Sequence, residues 1–441
     1  MNWSKVKLGE FLINRENRFK PNDEKIAGLK RIDKIDFSGN IFLSNKISNT
    51  DMILVKKGDL VISGINVEKG AMNVYQNEED VTATIHYSSY SFNEQKIDID
   101  FLKMFLKSPE FKSALKEQVP GGIKTEIKPK HILPLEVVIP TKVSVQRELV
   151  KEFRKHETMN SELNSEISKQ QELVKQLRQA FLKEAMQGKL IKQDKKDGNA
   201  RELLQKIKYE KEKLTAEKKI KKEKLLPPIR EDEIPFDIPE NWVWSRLGEV
   251  IDFISGNNFN STDFNNENGA KCIKITNAGV GRFVETDDFL PITFLEKYKS
   301  YLVFENDLIL ALTRPYISEG LKISKCPKSY DSSLLNQRVA VIRPRNLILS
   351  EFIFQFLRSD YLLNLYKSKF DGKSQQPNLK KEDIIELLIP LPPLPEQTSI
   401  VKKLEQLMKQ CDELQANINN SKEHNVKLLQ QVLKEALRPK D

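Results

Sequence analysis

The residues best suited to chemistry sit in a few loops, and what they suit is binding. Gly121-Gly122 is followed by Lys124, Lys128 and Lys130, three ammonium groups on a turn. Lysine neutralises a phosphate without reading a base. A second loop, Asp371-Gly372-Lys373-Ser374-Gln375-Gln376-Pro377-Asn378, stands at the matching place later in the chain. There Lys373 suits phosphate, and Gln375 and Gln376 have the amide that reads adenine bidentately in the major groove. Thr313-Arg314-Pro315-Tyr316 and Asn336-Gln337-Arg338 add Arg314, Gln337 and Arg338, and arginine is the usual reader of guanine. Ordinary surface loops also carry these residue types.

Residues for bond-making do not assemble in the same way. An adenine methyltransferase needs a glycine-rich cofactor turn and an Asn/Asp-Pro-Pro-aromatic motif against the flipped base. Pro227-Pro228 and Pro392-Pro393 lack the preceding Asn or Asp, and no phosphate-cradling Gly-x-x-x-x-Gly-Lys-Ser/Thr loop occurs. His86, His131, His156 and His424 are scattered, with no pair at metal-ligand spacing. The sequence argues for a non-catalytic binding chain that needs no metal of its own, its chemistry supplied by partners.

Composition agrees. The 441 residues imply two or three domains, and 31% charged with 39% hydrophobic residues suits a helix-rich protein with ordinary cores. The net charge of +9 has the sign expected for a phosphate-bearing partner. Cys272, Cys326 and Cys411 show no Cys-x-x-Cys spacing, which points to a reducing compartment rather than a disulfide framework. With no signal peptide pattern and no long apolar run, the expected location is cytoplasmic.

What positions the loops is a scaffold that occurs twice. Trp3 with Leu8-Gly9-Glu10 returns as Trp242 with Leu247-Gly248-Glu249. Asp59-Leu60 returns as Asp307-Leu308, and Phe105-Leu106-Lys107-Ser108 as Phe356-Leu357-Arg358-Ser359. Gln146 returns as Gln397, and Leu182-Lys183-Glu184-Ala185 as Leu433-Lys434-Glu435-Ala436. The chain therefore divides into a globular half at 1–143, a long helix at 144–190, a lysine-rich linker at 191–240, a second globular half at 241–394 and a second long helix at 395–439. In the linker, Leu203, Leu204, Ile207 and Leu214 form a thin apolar stripe, read as a solvated helix packed weakly on one side. Between the anchors the halves differ almost completely, which suits two modules doing one kind of task on different targets.

Each long helix carries a seam of coiled-coil type. In the second it runs through Ile400, Leu404, Leu407, Cys411, Leu414, Ile418, Ser421, Asn425, Leu428 and Val432; in the first, with more polar breaks, through Leu149, Phe153, His156, Asn160, Leu163, Ile167, Gln170, Val174, Leu177 and Phe181. The expected fold is α+β: two tandem globular domains separated by two long antiparallel helices, pseudo-twofold symmetric. Full overlap of the seams sets Leu149 opposite Glu435 and Asn160 opposite or next to Asn425. Such a pair would be about 54 Å long at 1.5 Å per residue. That is of the same order as the roughly 34–36 Å between DNA half-sites one turn apart.

The segment Leu388-Ile389-Pro390-Leu391-Pro392-Pro393-Leu394-Pro395-Glu396-Gln397 followed by Ile400-Val401 resembles a junction motif of the specificity (S) subunits of type I restriction–modification enzymes. Ile238-Pro239-Glu240-Asn241-Trp242-Val243-Trp244 and Met186-Gln187-Gly188-Lys189-Leu190 resemble that family too, and the likeness includes the order of parts. Thr141-Lys142-Val143 departs from the pattern at the first junction. The resemblance implies that each globular half is a target recognition domain for double-stranded DNA. It implies that the helices form a spacer and a docking surface for methyltransferase (M) subunits, two of them, with restriction (R) subunits joining the complex. It places S-adenosylmethionine in the methyltransferase partner, and ATP and Mg in the restriction partner. The competing reading is a coiled-coil scaffold with two protein- or sugar-binding domains; the repeated Trp and Pro-Pro-Leu-Pro-Glu-Gln signatures favour the first.

Overall fold

A computed structural model describes residues 3–15, 17–118, 126–220, 224–370 and 377–438. Helix makes up 43% and strand 22% of the chain, an α+β composition. The chain divides into two compact units, Met1–Gln170 with Asn417–Asp441, and Gln171–Ala416.

In the first unit, Trp3–Lys7 pairs antiparallel with Glu136–Pro140, from Trp3 opposite Pro140 to Lys7 opposite Glu136. A four-stranded sheet follows the order Leu12–Asn14, Tyr87–Phe92, Leu60–Ser63, Met72–Val74. Helices Ile99–Leu106 and Pro109–Gln118 cover it, burying Phe101, Leu102, Phe105 and Phe111. A five-stranded sheet, inserted in the same half, holds a separate small core around Ile32, Val55, Val81 and Ala83.

The second unit repeats that topology. Val243–Arg246 pairs with Leu388–Leu391. Its four-stranded sheet follows the order Ile251–Ser255, Val339–Pro344, Leu308–Ala311, Ile323–Lys325. Helices Ser350–Leu357 and Asp360–Phe370 cover it. The repeated sequence anchors thus mark equivalent places in two copies of one fold.

The anchors explain themselves once placed. Gln146 is fully buried; its Oε1 accepts from the Asp98 amide at 2.7 Å, and its Nε2 donates to the Pro140 carbonyl at 2.8 Å. Gln397, equally buried, accepts from the Leu349 amide at 3.0 Å and donates to the Pro392 carbonyl at 3.0 Å. In each copy one amide ties the start of the covering helix to the turn that enters the long helix. A buried carboxylate recurs as well. Asp59 accepts from Arg15, which follows the first strand of its sheet, and Asp307 accepts from Arg343, which lies on a different strand. Burying a carboxylate is costly without a paired cation, and the two copies meet that need from different strands.

The long helices are Val143–Met186 and Leu394–Ala436. Within the first unit they run antiparallel: Leu149, Val150 and Phe153 share a core with Leu433 and Leu437. Within the second unit Leu182, Ala185 and Met186 share a core with Ile400 and Leu404, and Arg178 pairs with Asp412 at 2.7 Å. The seam is narrower than expected. Burial recurs every seventh residue, at Phe153, Ile167 and Val174 and at Leu404, Cys411, Ile418 and Asn425. Leu414, Leu163, Leu177 and Leu428 are exposed, so Leu414 is not a packed seam residue. Between their ends the helices bury one line per heptad and leave the alternate leucines Leu163, Leu177, Leu414 and Leu428 on an open face, while Leu149 and Ile400 near the helix starts are packed. Leu149 packs in the cluster with Leu433 and Leu437, while Glu435 faces solvent. The Asn425 amide donates to Asn164 Oδ1 at 3.0 Å and sits 3.5 Å from the Asn160 carbonyl, so it lies beside Asn160 but bonds to the side chain one turn on.

The lysine-rich segment is also packed more firmly than its composition suggests. Its helix Ala200–Ala216 sinks Leu203, Leu204 and Ile207 into the main core of the second unit, and Lys208 pairs with Glu249 at 2.9 Å. Spacing the stripe at helical period brings three apolar side chains to one face, enough to fix the helix.

Candidate nucleic-acid interface

In the second unit, three of the basic and amide residues expected to bind meet at one end of the four-stranded sheet. Leu308–Ala311 ends at Leu312, whose amide donates to the Arg338 carbonyl at 2.8 Å. The Leu312 carbonyl accepts from the Leu379 amide at 2.8 Å. Arg314 donates its amide to the Pro377 carbonyl at 2.9 Å, and Thr313 bridges to Asn378. Gln337 donates to the Asn257 carbonyl at 2.7 Å. Arg314, Gln337 and Arg338 are all exposed, and none is engaged in an ion pair among the described residues. Arg314 and Arg338 both adopt left-handed backbone, with φ of 47° and 69°. Such backbone disfavours most L-residues and is found at constrained functional loops. Gly256 closes the end of the sheet: a Cβ there would sit 1.8 Å from the Asn336 carbonyl oxygen, so the position admits only glycine.

The first unit builds the same junction from different residues. Leu60–Ser63 ends at Gly64, whose amide donates to the His86 carbonyl at 2.8 Å and whose carbonyl accepts from the Ile127 amide at 2.8 Å. Gly64, His86 and Ile127 thus stand where Leu312, Arg338 and Leu379 stand in the second unit. A polar cleft of about 390 Å³ opens beside this junction, lined by Asn14, Arg18, His86, Glu126 and Lys128 among others. His86 Nδ1 lies 3.0 Å from Glu126 Oε1, and Lys128 lies 3.7 Å from its other oxygen. Lys130 is exposed on the short helix Pro129–Ile132 that follows.

Of the residues singled out from sequence, Lys128 and Lys130 border the first junction, and Arg314, Gln337 and Arg338 build the second. Lys124, Lys373, Gln375 and Gln376 lie outside the described residues. Arg18, His86 and Glu126 were missed. Glu126 lies in the Gly121-Gly122 loop but is not basic, and His86 is matched to Arg338 only by the backbone bonds that Gly64 and Leu312 donate, because the two are 252 residues apart whereas Asp59 and Asp307 are 248 apart.

Reactive groups elsewhere are quiet. Burial pushes the Cys272 and Cys326 thiols up to about 12, which keeps them protonated at neutral pH. Among the described residues no group of three or more His, Cys, Asp or Glu side chains converges to hold a metal ion. No described helix is long and apolar enough to cross a membrane.

Comparison with known proteins matches the Type I restriction modification DNA specificity domain over residues 239–423. The chain is 35% identical over 255 residues to the type I restriction enzyme EcoAI specificity subunit of Escherichia coli, covering 57% of this chain and 43% of that protein. It is 36% identical over 173 residues to the MjaVIII specificity subunit of Methanocaldococcus jannaschii, covering 39% and 40%. The matched stretches thus span less than half of these relatives. Two solved structures share the fold along nearly the whole chain, both at 17% identity. One comes from work on complex assembly and conformational transition of the type I R-M system, with a TM-score of 0.64 and coverage of 99% and 97%. The other is the HsdS subunit of Thermoanaerobacter tengcongensis, with a TM-score of 0.52 and coverage of 99% and 96%. The chain thus resembles a type I restriction modification DNA specificity domain over residues 239–423, and it shares its fold with these two solved structures over nearly its full length.

Proposed function

We propose that the chain is the non-catalytic subunit that directs a type I methyltransferase and restriction complex to an asymmetric, two-part site on double-stranded DNA. One observation carries this reading. The same loop junction is built twice on the same fold, but with different side chains on it. Arg314, Gln337 and Arg338 stand on one copy, and Arg18, His86, Glu126 and Lys128 on the other. A repeated scaffold fixes where contacts are made, and divergent side chains make each copy read different base edges.

The two globular halves act as target recognition domains, 1–143 and 241–394. Lys124, Lys128, Lys130 and Lys373 neutralise phosphates; Arg314, Gln337, Arg338, Gln375 and Gln376 reach base edges. Catalysis belongs to partners: methyltransferase subunits, two per complex, bring S-adenosylmethionine, and restriction subunits bring ATP and Mg. The open face of the helix pair, where Met159, Leu163 and Leu428 stand exposed, gives the methyltransferase subunits an apolar surface to cover. The working place is the cytoplasm, where the DNA is.

The test is methylome sequencing of cells carrying the methyltransferase partner with and without this chain. A two-part adenine-methylated motif that appears only with the chain supports the reading. Methylation unaffected by the chain refutes it.

A further inference from the structure

The junction points to specific residues that set specificity, beyond the basic loops. In both copies a strand-exit residue, Gly64 or Leu312, holds two other segments by its own amide and carbonyl. The segment on the amide side carries His86 in one copy and Arg338 in the other. The segment on the carbonyl side carries Glu126, one residue before Ile127, and Asn378, one residue before Leu379. The backbone hydrogen bonds are 2.8 Å in all four cases, so these side chains leave equivalent points of the two folds. The spacing is held tightly in the first copy. A Cβ on Gly64 would lie 2.7 Å from the Ile127 carbonyl oxygen and 3.1 Å from both the His86 carbonyl and Glu126 Cγ.

We propose that positions 86 with 126, and 338 with 378, are equivalent specificity-determining pairs, each reading base edges in its own half of the DNA site. This rests on the function proposed above. The chemistry of the two pairs differs in the way that would separate their targets. Glu126 is a carboxylate on a surface otherwise set up for phosphate. It makes hydrogen bonds only as an acceptor, so it takes the exocyclic amine of cytosine or adenine and rejects the carbonyl of guanine or thymine. His86 at 3.0 Å and Lys128 at 3.7 Å fix its orientation and offset its charge beside the phosphates. Arg338 is donor-only and suits the two acceptors of guanine, with the amide of Asn378 alongside. Arg15 cannot take this role in the first copy, because its guanidinium is engaged by the buried Asp59.

The test uses the full chain assembled with its methyltransferase partner, and reads the methylated motif from modified-base sequencing. Glu126→Gln keeps the shape of the side chain but adds a donor. It should relax or change one base position in one half-site, lowering discrimination there by about fivefold or more. The other half-site should stay as it was. Arg338→Gln should do the same on the opposite half-site only. Lys128→Ala should weaken methylation evenly and leave the motif unchanged. If the wild-type complex writes a two-part motif and both Glu126→Gln and Arg338→Gln leave every position of it intact, the pairs do not determine specificity. Changes in both half-sites from one substitution would equally overturn the assignment. Absence of any chain-dependent motif with the wild type would instead refute the function on which the assignment rests.

Discussion

Gln397 offers a direct measure of how the repeated scaffold is held. Its side chain is fully buried, and its amide satisfies the Leu349 N–H and the Pro392 carbonyl, each at 3.0 Å. Gln397→Ala leaves both groups without a partner in the closed structure. A buried polar group left unmade costs about 1–3 kcal/mol, and Leu349 is only partly buried, so the loss is about 2–4 kcal/mol. Hydrogen exchange read on peptides spanning Ser350–Leu357 should then speed up by roughly 30-fold or more where exchange needs the unit to open. Peptides covering Ile99–Leu106 should not change, because their clamp is Gln146. Gln146→Ala should give the opposite pattern. Gln397→Glu adds a pH signature. A carboxylate facing the Pro392 carbonyl favours its protonated form, so its folded pKa lies above the unfolded value of about 4.3. Its stability is therefore near that of the wild type below about pH 4.3 and is lost as pH rises through the folded pKa. Acceleration below about threefold, or equal acceleration in both units, would refute the clamp.

Three further outcomes are expected. Leu433→Ala should destabilise the first unit by about 2–4 kcal/mol, read by urea unfolding followed at Trp3, since Leu433 belongs to that core. Glu396 is fully buried against Gln193 and Asn241, and burial raises its pKa despite those hydrogen bonds. Its contribution is thus greatest at low pH and declines as pH rises through the folded pKa; the Tm difference between wild type and Glu396→Gln should move in favour of the wild type as pH falls from 8 toward about 4.3. A pH-independent difference would rule this out. Replacing Asn164 and Asn425 together by Leu should raise the melting temperature, because an amide pair with Asn425 buried and Asn164 half-buried is less stabilising than apolar packing, and the double variant should tolerate more slipped helix registers. Unchanged thermal stability would count against that account.

The duplication was legible because its anchors are side chains whose identity the fold needs. Gln146 and Gln397 are the same residue type because one side-chain amide accepts from one backbone group through its oxygen and donates to another through its nitrogen. What the anchors bind was not legible, since Asp98 and Leu349 contribute only backbone and share no side-chain identity. The loop junction was half legible for the same reason. Arg314, Gln337 and Arg338 stand out by residue type, whereas His86 and Glu126 are placed at the junction only by the backbone hydrogen bonds of Gly64 to His86 and to Ile127, the residue after Glu126. Leu414 was misread because a heptad pattern reports which residues are apolar, not how many lines a two-helix pair can cover. The linker helix was underrated because three apolar residues among many lysines weigh little in composition, yet all fall on one face.

The place of Leu433 and Leu437 in the first unit's core has a consequence for the order of synthesis. A ribosome makes Trp3–Lys7, then the covering helices Ile99–Leu106 and Pro109–Gln118, then the partner strand Glu136–Pro140. The surface formed by Leu149, Val150 and Phe153 then waits while nearly three hundred more residues are made. Most domains close behind the moving chain, N-terminal first. Here the half made before the other is sealed after it, and its apolar groove stays open to chaperones, or to a neighbouring copy's helix, until Leu433 and Leu437 of the second long helix emerge.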